Sequence, residues 1–196
     1  MSVYELALEV ISGKWGSGND RRQKLERAGY NYSEVQAEVN RILKSENTQR
    51  DKILAKAQKE IGVMERPANS NNVKYNTWFY GHEVSGSAYP WCAVFISWLF
   101  DGTGLCKKTA SCADMLEWFE AKSQIVKDPL PGDIVFFRYA TNARRTNHVG
   151  LVVDVKGNTL TTIEGNTSKE SNDNGGRVMR RKRSGKIVGY ARPKYE

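Results

Sequence analysis

Hydrophobic residues recur at helical spacing through the first half of the chain and alternate with polar residues through much of the second half. Apolar positions three and four residues apart predict three short helices between residues 3 and 44 and a fourth over residues 49–61. Ser33-Glu-Val-Gln36 has the form of a capping box and predicts the start of the third helix. Residues 66–87 are polar and aromatic and predict a long loop, and a further helix is predicted over residues 111–121.

An almost purely apolar run covers residues 91–100, and it is too long and too free of glycine and proline for a typical strand. It predicts a buried helix that starts just after Pro90, with Cys92 in its first turn. The amides of a first turn and the helix dipole favour an anion, so this position shifts the thiol toward its nucleophilic thiolate form. The ordinary alternative is that Cys92 is one more small apolar residue in a buried helix.

From residue 133 onward, short runs of β-branched and aromatic residues follow turn residues, with Gly157-Asn158 as hairpin punctuation. These runs predict strands over residues 133–139, 148–155, 159–166, 177–183 and 186–192. Helices that precede antiparallel strands are typical of an α+β fold, in which the helix of Cys92 packs on a curled sheet.

The composition is that of an ordinary globular protein, with 196 residues, 39% hydrophobic and 27% charged. The net charge of +8 is concentrated near the C-terminus and could attract a polyanion, although a solvated sheet face explains it equally simply. We expect no nucleic-acid partner. No apolar run is long enough to span a bilayer and the N-terminus lacks the pattern of a signal peptide, so we expect synthesis in a cytoplasm and no membrane insertion.

The cysteine count of three is odd and sparse, which argues against a disulfide framework. The spacing typical of zinc ligands is absent. Cys106 and Cys112 could approach each other, but free thiols are favoured. Cys92 is left as the cysteine with a special predicted environment.

A cysteine nucleophile needs a nearby base, and the base needs an orienting group. Of the two histidines, His82 lies in the predicted loop, whereas His148 opens a strand, where a side chain is held more rigidly. Glu164 and Asn166 share one face of the next strand, and burial there is costly unless they bond a partner such as an imidazole. The alternatives are a structural histidine and a solvated polar face.

The hairpin register tests this grouping. In an antiparallel hairpin the residue numbers of each cross-strand pair add up to the same sum. For His148 to face Glu164 and Asn166, this sum must be even. The Gly157-Asn158 loop must then contain an odd number of residues, or the ladder must carry a β-bulge. A strict two-residue turn without a bulge places His148 on the opposite face.

Four stretches in this order carry a resemblance: Ala88-Tyr-Pro-Trp-Cys-Ala-Val-Phe-Ile-Ser97, Pro131-Gly-Asp-Ile-Val-Phe-Phe137, Asn147-His-Val-Gly-Leu-Val152 and Ile163-Glu-Gly-Asn-Thr-Ser168. They resemble the CHAP domain, the cysteine, histidine-dependent amidohydrolase/peptidase family, a papain-like branch common in phage endolysins. The resemblance implies that Cys92 is the nucleophile, His148 the general base and Glu164 the group that orients the imidazole, with Asn166 a further polar active-site residue. It implies cleavage of a peptidoglycan amide, foremost as an N-acetylmuramoyl-L-alanine amidase and alternatively as an endopeptidase.

The N-terminal segment has its own resemblance, carried by Gly13-Lys-Trp-Gly16, Arg21, Leu25, Ala28-Gly-Tyr30, Val35-Gln36 and Val39-Asn40. These residues resemble a cell-wall-binding repeat first recognised in a pneumococcal phage lysozyme, a three-helix unit that binds muropeptide. Trp15, Arg21 and Tyr30 are the candidate wall contacts, and a role for the two aromatic residues in the core of the unit is the alternative. We therefore divide the chain into a wall-binding repeat over residues 1–45 and a catalytic domain over residues 46–196.

Aromatic residues that precede or accompany the cysteine are candidates for the walls of a substrate groove, since sugar and peptide chains pack on aromatic faces: Tyr75, Trp78, Tyr89 and Trp91. Some CHAP domains hold calcium through aspartates ahead of the cysteine, but residues 75–89 contain no Asp and only Glu83. We therefore expect neither a metal nor a cofactor. A non-catalytic protein that binds the wall or a polyanion is the alternative of a different class.

Overall fold

The computed structural model describes residues 2–45, 48–142 and 145–195, and these residues form two compact units, Met1–Asp51 and Lys52–Glu196. The described helices are α1 (Val3–Ile11), α2 (Gly18–Arg27), α3 (Tyr32–Ser45), α4 (Gln49–Lys59), α5 (Lys74–Tyr80), α6 (Cys92–Leu99) and α7 (Cys112–Ala121). The described strands are β1 (Ile125–Val126), β2 (Ile134–Phe137), β3 (His148–Lys156), β4 (Thr159–Thr167), β5 (Arg177–Arg183) and β6 (Ile187–Ala191).

The first unit is a bundle of α1, α2 and α3 around a small apolar core. Its fully or nearly fully buried side chains are Leu6, Ala7, Val10, Leu25, Val35, Val39 and Ile42. The predicted capping box at Ser33 was wrong, because α3 begins one residue earlier. Asn31 is the capping side chain, and its Oδ1 accepts hydrogen bonds from the backbone amides of Ser33 at 3.0 Å and Glu34 at 3.2 Å.

The second unit is built on an antiparallel sheet whose described strands follow the order β1-β6-β2-β3-β4-β5. α6 packs against β3 and β4, and its apolar side chains join those of one sheet face in the main core. The other face carries a second apolar cluster around Val135, Phe137, Val152 and Leu160. The α+β fold predicted from the order of helices and strands is therefore confirmed.

The predicted long loop was wrong in one place, because residues 74–80 form the helix α5, which ends at Gly81 in the left-handed region. Tyr75 is completely buried and its ring packs on those of Trp91, Phe95 and Trp98 at centroid distances of 5.1–5.5 Å. This tertiary packing stabilises a helix of only seven residues, in which Tyr75, Trp78 and Phe79 recur at helical spacing and pack in or against the main core.

The β3–β4 hairpin carries the β-bulge that the register argument requires. Beside the two-residue turn Lys156 pairs with Thr159, and the partner numbers add up to an odd number. Val153 is left without a partner, and beyond it Val152 pairs with Thr162 and the partner numbers add up to an even number. The bulge turns His148, at the start of β3, to the face of the sheet that carries Glu164.

β4 and α6 approach each other closely at Gly165. A Cβ atom there would lie 2.7 Å from Cβ of Phe95 and 2.8 Å from Cζ3 of Trp91, closer than side chains tolerate. The absence of a side chain at Gly165 therefore sets the depth at which the start of α6 rests on the sheet.

We predict that Gly165→Ala lowers the free energy of unfolding by about 1–3 kcal/mol, because the added methyl group forces α6 away from β4. Urea unfolding followed by tryptophan fluorescence measures the change. Gly189→Ala is the matched control, since a Cβ atom on that strand glycine meets no atom within 4 Å. An equal effect of the two substitutions would show that the contact at Gly165 is not special.

Candidate active site

Cys92 is the first residue of α6, and only 4% of its surface is exposed. The residue before it is held in place, because the buried indole of Trp91 stacks on Tyr75 and its Nε1 donates a hydrogen bond to Glu65 Oε1 at 2.7 Å. The sulfur of Cys92 lies 3.9 Å from the carbonyl oxygen of Asn147. The start of α6 therefore points at the start of β3, where His148 follows Asn147.

His148 is the first residue of β3 and is completely buried. Its Nε2 lies 2.8 Å from Oε2 of Glu164, and its ring packs beside those of Phe137 and Tyr139 at about 6 Å. Within the described residues, Nδ1 has no hydrogen-bond partner of ordinary geometry, although the ring and the Cys92 sulfur interact. Because Nε2 is engaged with Glu164, Nδ1 is the nitrogen left for the thiol.

Glu164 lies at the centre of a buried polar network on the face of the sheet opposite α6. Its carboxylate accepts hydrogen bonds from Nε of Arg183 at 2.8 Å and from Nη2 of the same guanidinium. Oγ1 of Thr162 donates to Oε1 at 2.5 Å. The carboxylate passes over Gly150, where a Cβ atom would lie 2.6 Å from Cγ of Glu164, so a side chain at this position would displace it.

The charges of the three groups follow from these contacts. Burial by itself raises the pKa of Glu164, but hydrogen bonds from Arg183 and His148 lower it to about 2. Burial by itself lowers the pKa of His148, but the interactions with Cys92 and Glu164 raise it to about 9. A hydrogen bond from Cys112 lowers the pKa of Cys92 well below its usual value, and His148 adds to this effect against the opposing effect of burial. The directions of these shifts favour a thiolate, an imidazolium and a carboxylate in a row.

Asn166 is not hydrogen-bonded to this row. Its backbone is in the left-handed region at φ 54°, its Oδ1 accepts from the amide of Gly176 at 3.4 Å, and its carbonyl accepts from the amide of Gly175 at 3.0 Å. Its Nδ2 is buried and has no partner among the residues described. Asn166 thus anchors the loop of residues 168–176.

This loop closes over the carboxylate. The guanidinium of Arg183 donates to Asn172 Oδ1 at 2.6 Å, and Arg181 donates to the same oxygen at 2.9 Å. From the other side of the loop, Asp173 accepts a hydrogen bond from Nδ2 of Asn147. The loop therefore connects Arg183 with the residue that precedes His148.

Sequence reasoning missed two residues of this site, Arg183 and Cys112. Arg183 belongs to the basic C-terminal segment, for which the sequence indicates only a solvated sheet face or a surface for a polyanion. The alternation of β5 was a usable signal, because Met179 pairs with Glu164 and Arg183 lies on the same face four residues further on. Cys112 is the first residue of α7, and its sulfur lies 3.5 Å from that of Cys92. Only the tertiary packing of two helix starts brings these sulfurs together.

Two of the four aromatic candidates for the substrate groove are corrected. Tyr75 and Trp91 have no exposed surface, so their rings pack in the core beneath the cysteine. Trp78 and Tyr89 are partly exposed and stay candidates. The ammonium of Lys108 lies 4.4 Å from the ring centroid of Trp78, a cation–π geometry that leaves the ring at the surface.

In the first unit, Trp15 is the candidate contact that lines a groove. Its Nε1 donates to Oε2 of Glu9 at 3.0 Å, and its ring packs edge to face on Tyr30 at 6.0 Å. The groove has a volume of about 600 Å³ and is lined by Glu9, Lys14, Trp15, Lys24, Arg27 and Ala28. Arg21 donates hydrogen bonds within the unit, from Nε and Nη2 to the carbonyl oxygen of Gly16 and from Nη1 to Oε1 of Gln36. These contacts give it a structural role in the unit.

Other kinds of site find no support in the described ranges. No three His, Cys, Asp or Glu side chains among the described residues are grouped so that they could hold a metal ion. None of the described helices has the length and hydropathy of a membrane span.

A cysteine at a helix start, opposite a histidine that begins a strand of an antiparallel sheet, places the second unit in the papain-like class of α+β proteins. Family models define it further: residues 84–166 match the CHAP domain and residues 4–43 match the CW_7 repeat. The chain thus carries a CHAP domain preceded by a CW_7 repeat, as the sequence resemblance implied. A CHAP domain indicates a peptidoglycan amidase or peptidase.

Two similar solved structures are crystal structures of Ly7917, one of them "with the hydrolyzing product of MDP". They are 16% and 18% identical to this chain, with TM-scores of 0.45 and 0.46. Each match covers 74% of this chain, which spans 62% of the length of the solved chain. The comparison with curated proteins gives no match.

We predict that Arg183→Met lowers the free energy of unfolding by about 3–5 kcal/mol, because it leaves the buried carboxylate of Glu164 without its main counter-charge. It also raises the pKa of His148, since the carboxylate of Glu164 no longer shares its charge with a guanidinium and depends on the imidazolium alone. Urea unfolding and an NMR titration of the imidazole measure the two effects. Arg183→Lys keeps the charge, so we expect smaller changes in the free energy of unfolding and in the pKa of His148. Lys182→Met, at an exposed neighbour, leaves both quantities unchanged. An unshifted imidazole titration in Arg183→Met would contradict the prediction.

Proposed function

We propose that Cys92, His148 and Glu164 are the catalytic residues of a peptidoglycan hydrolase that cleaves an amide bond of the bacterial cell wall. The observation that supports this most is the continuous line of contacts from Arg183 through Glu164 and His148 to Cys92, inside a CHAP domain. Burial of all four groups keeps water from weakening their electrostatic interactions.

In the proposed mechanism, the thiolate of Cys92 attacks the carbonyl carbon of the amide. The backbone amide of Cys92, at the helix start, is a candidate donor to the oxyanion, a contribution typically of about 3 kcal/mol. The imidazolium of His148 gives its proton to the leaving amine, and the sulfur is left in a thioester. His148 then takes a proton from water, which attacks the thioester, releases the acid and restores the thiolate. Glu164 holds Nε2 and keeps the ring oriented throughout.

We propose that the bond cleaved is the amide between the glycan and the stem peptide, the reaction of an N-acetylmuramoyl-L-alanine amidase. An endopeptidase that cuts a stem or cross-bridge is the alternative, and it uses the same chemistry on a different amide. Trp78 and Tyr89 are the proposed aromatic contacts of the substrate. The CW_7 repeat supports a function on the cell wall, with the groove at Trp15 as its proposed contact, and a phage endolysin is the setting that we propose.

A non-catalytic protein that binds the wall or a polyanion is the rival of a different class. Its support was the basic C-terminal segment, but Arg181 and Arg183 are engaged with the loop of residues 168–176. This leaves Arg177, Arg180 and Lys182 as the exposed cations of β5, a smaller basic surface than the composition suggested.

We predict that Cys92→Ala abolishes hydrolysis of purified peptidoglycan while sedimentation with the same peptidoglycan persists, because the nucleophile is lost and the wall-binding unit is intact. Loss of turbidity measures hydrolysis. Cys106→Ala is the matched control, since this cysteine is not part of the site. We expect His148→Ala to abolish hydrolysis as well, with His82→Ala as its matched control. If Cys92→Ala retains hydrolysis, Cys92 is not the nucleophile. If the parent protein binds peptidoglycan but does not hydrolyse it, the non-catalytic alternative is supported.

We predict that digestion of purified peptidoglycan releases new free N-terminal L-alanine, because the amidase separates the stem peptide from muramic acid. Mass spectrometry of the fragments, with labelling of new amino termini, identifies the bond. Fragments in which every stem stays attached to its glycan, and new amino groups arise within stems or cross-bridges, would instead establish the endopeptidase.

A further inference from the structure

A second thiol lies beside the proposed nucleophile and has no role in the mechanism above. Cys92 begins α6, Cys112 begins α7, and their sulfurs lie 3.5 Å apart. Cys112 is 7% exposed and Cys92 is 4% exposed, so the contact is closed to water on most sides. Both cysteines are free thiols.

The second half of α6 and the segment that leads into α7 are tied together by hydrogen bonds that do not involve sulfur. Ser97 of α6 donates to the carbonyl oxygen of Thr109 at 2.9 Å, and the amide of Thr109 donates back to Oγ of Ser97 at 3.0 Å. Thr109 in turn accepts from the amide of Ser111, which caps α7 through the amide of Asp114. These contacts place Cys112 against Cys92 independently of any attraction between the sulfurs.

Two thiols at this distance cannot both ionise, because the second negative charge would be buried beside the first. The surroundings decide which sulfur carries the charge. Cys92 interacts with the imidazolium of His148 and with the backbone amide of Ala93. Cys112 lacks the imidazolium: its own backbone amide favours a charge on its sulfur, but burial and the carboxylate of Asp173 oppose one. The negative charge therefore belongs on Cys92, and the proton stays on Cys112.

We propose that Cys112 is a positioning residue whose thiol donates a hydrogen bond to the Cys92 thiolate, holding the attacking sulfur in its ionised form and in its place at the start of α6. This inference rests on the proposed function for its importance in catalysis, but the ionisation of Cys92 can be measured without any hydrolysis. In support, the hydrogen bond to Cys92 and burial raise the pKa of Cys112 well above its usual value, while the pKa of Cys92 is lowered.

The test is the pH dependence of alkylation of Cys92 by iodoacetamide, which reacts with thiolates. The full-length protein, fully reduced and kept free of oxygen, is compared with Cys112→Ala and Cys112→Val, both in a Cys106→Ala background, and mass spectrometry locates the label. Both substitutions remove the donor, and valine also fills the space of the lost sulfur, so that the packing between α6 and α7 is kept in at least one design; circular dichroism identifies the folded variants. We expect the alkylation midpoint to rise by about one pH unit or more, which slows labelling about tenfold below the midpoint.

Cys112→Ser separates hydrogen bonding from packing, because it keeps a donor while it removes the sulfur. We expect its midpoint to lie closer to that of the parent than those of the alanine and valine variants. A midpoint unchanged in folded Cys112→Ala or Cys112→Val would overturn the proposal. Hydrolysis of peptidoglycan is measured in parallel: a parent protein that alkylates as expected but does not hydrolyse defeats the proposed function and leaves the role of Cys112 standing.

Discussion

The buried carboxylate of Glu164 is the group on which the rest of the site depends. An unpaired charge in this position would cost several kcal/mol, and the chain offsets the cost with the guanidinium of Arg183, the hydroxyl of Thr162 and the ring of His148. Once Glu164 is ionised, His148 is stable as an imidazolium, and the imidazolium stabilises a thiolate at Cys92. Charges of alternating sign thus run from the outer face of the sheet to the start of α6, and the neutral thiol of Cys112 ends the row.

Backbone geometry makes this row possible at three points. The bulge at Val153 turns the first half of β3 so that His148 and Glu164 share a face. Gly150 leaves room for the carboxylate, and Gly165 lets α6 approach the sheet. A side chain at either glycine would move one end of the row relative to the other, and a transfer of charge or proton between groups depends on displacements of this size.

Local patterns in the sequence predicted most of the fold. They also predicted the candidate nucleophile, Cys92, and the candidate base, His148. The apolar run that begins at Trp91 predicted α6, and the parity of the hairpin numbering required either an odd loop or a bulge, of which the structure has the bulge. Two features depended on contacts between distant parts of the chain, and their local signal was short or absent. The helix α5 is stabilised by the packing of Tyr75, and Cys112 reaches Cys92 only because α6 and α7 are tied together through Ser97.

The basic residues of β5 differ in their structural roles. Arg181 and Arg183 face inward and bind the loop of residues 168–176, so part of the positive charge is internal and supports the site. The alternate positions Arg180 and Lys182 are exposed on β5, the last strand of the described sheet. Residues 62–65 cover the start of β5 on its outer edge, where the amide of Val178 donates to the carbonyl oxygen of Val63 and the carbonyl oxygen of Val178 accepts from the amide of Gly62. β5 therefore carries arginines that stabilise a buried carboxylate on one face and exposed cations on the other.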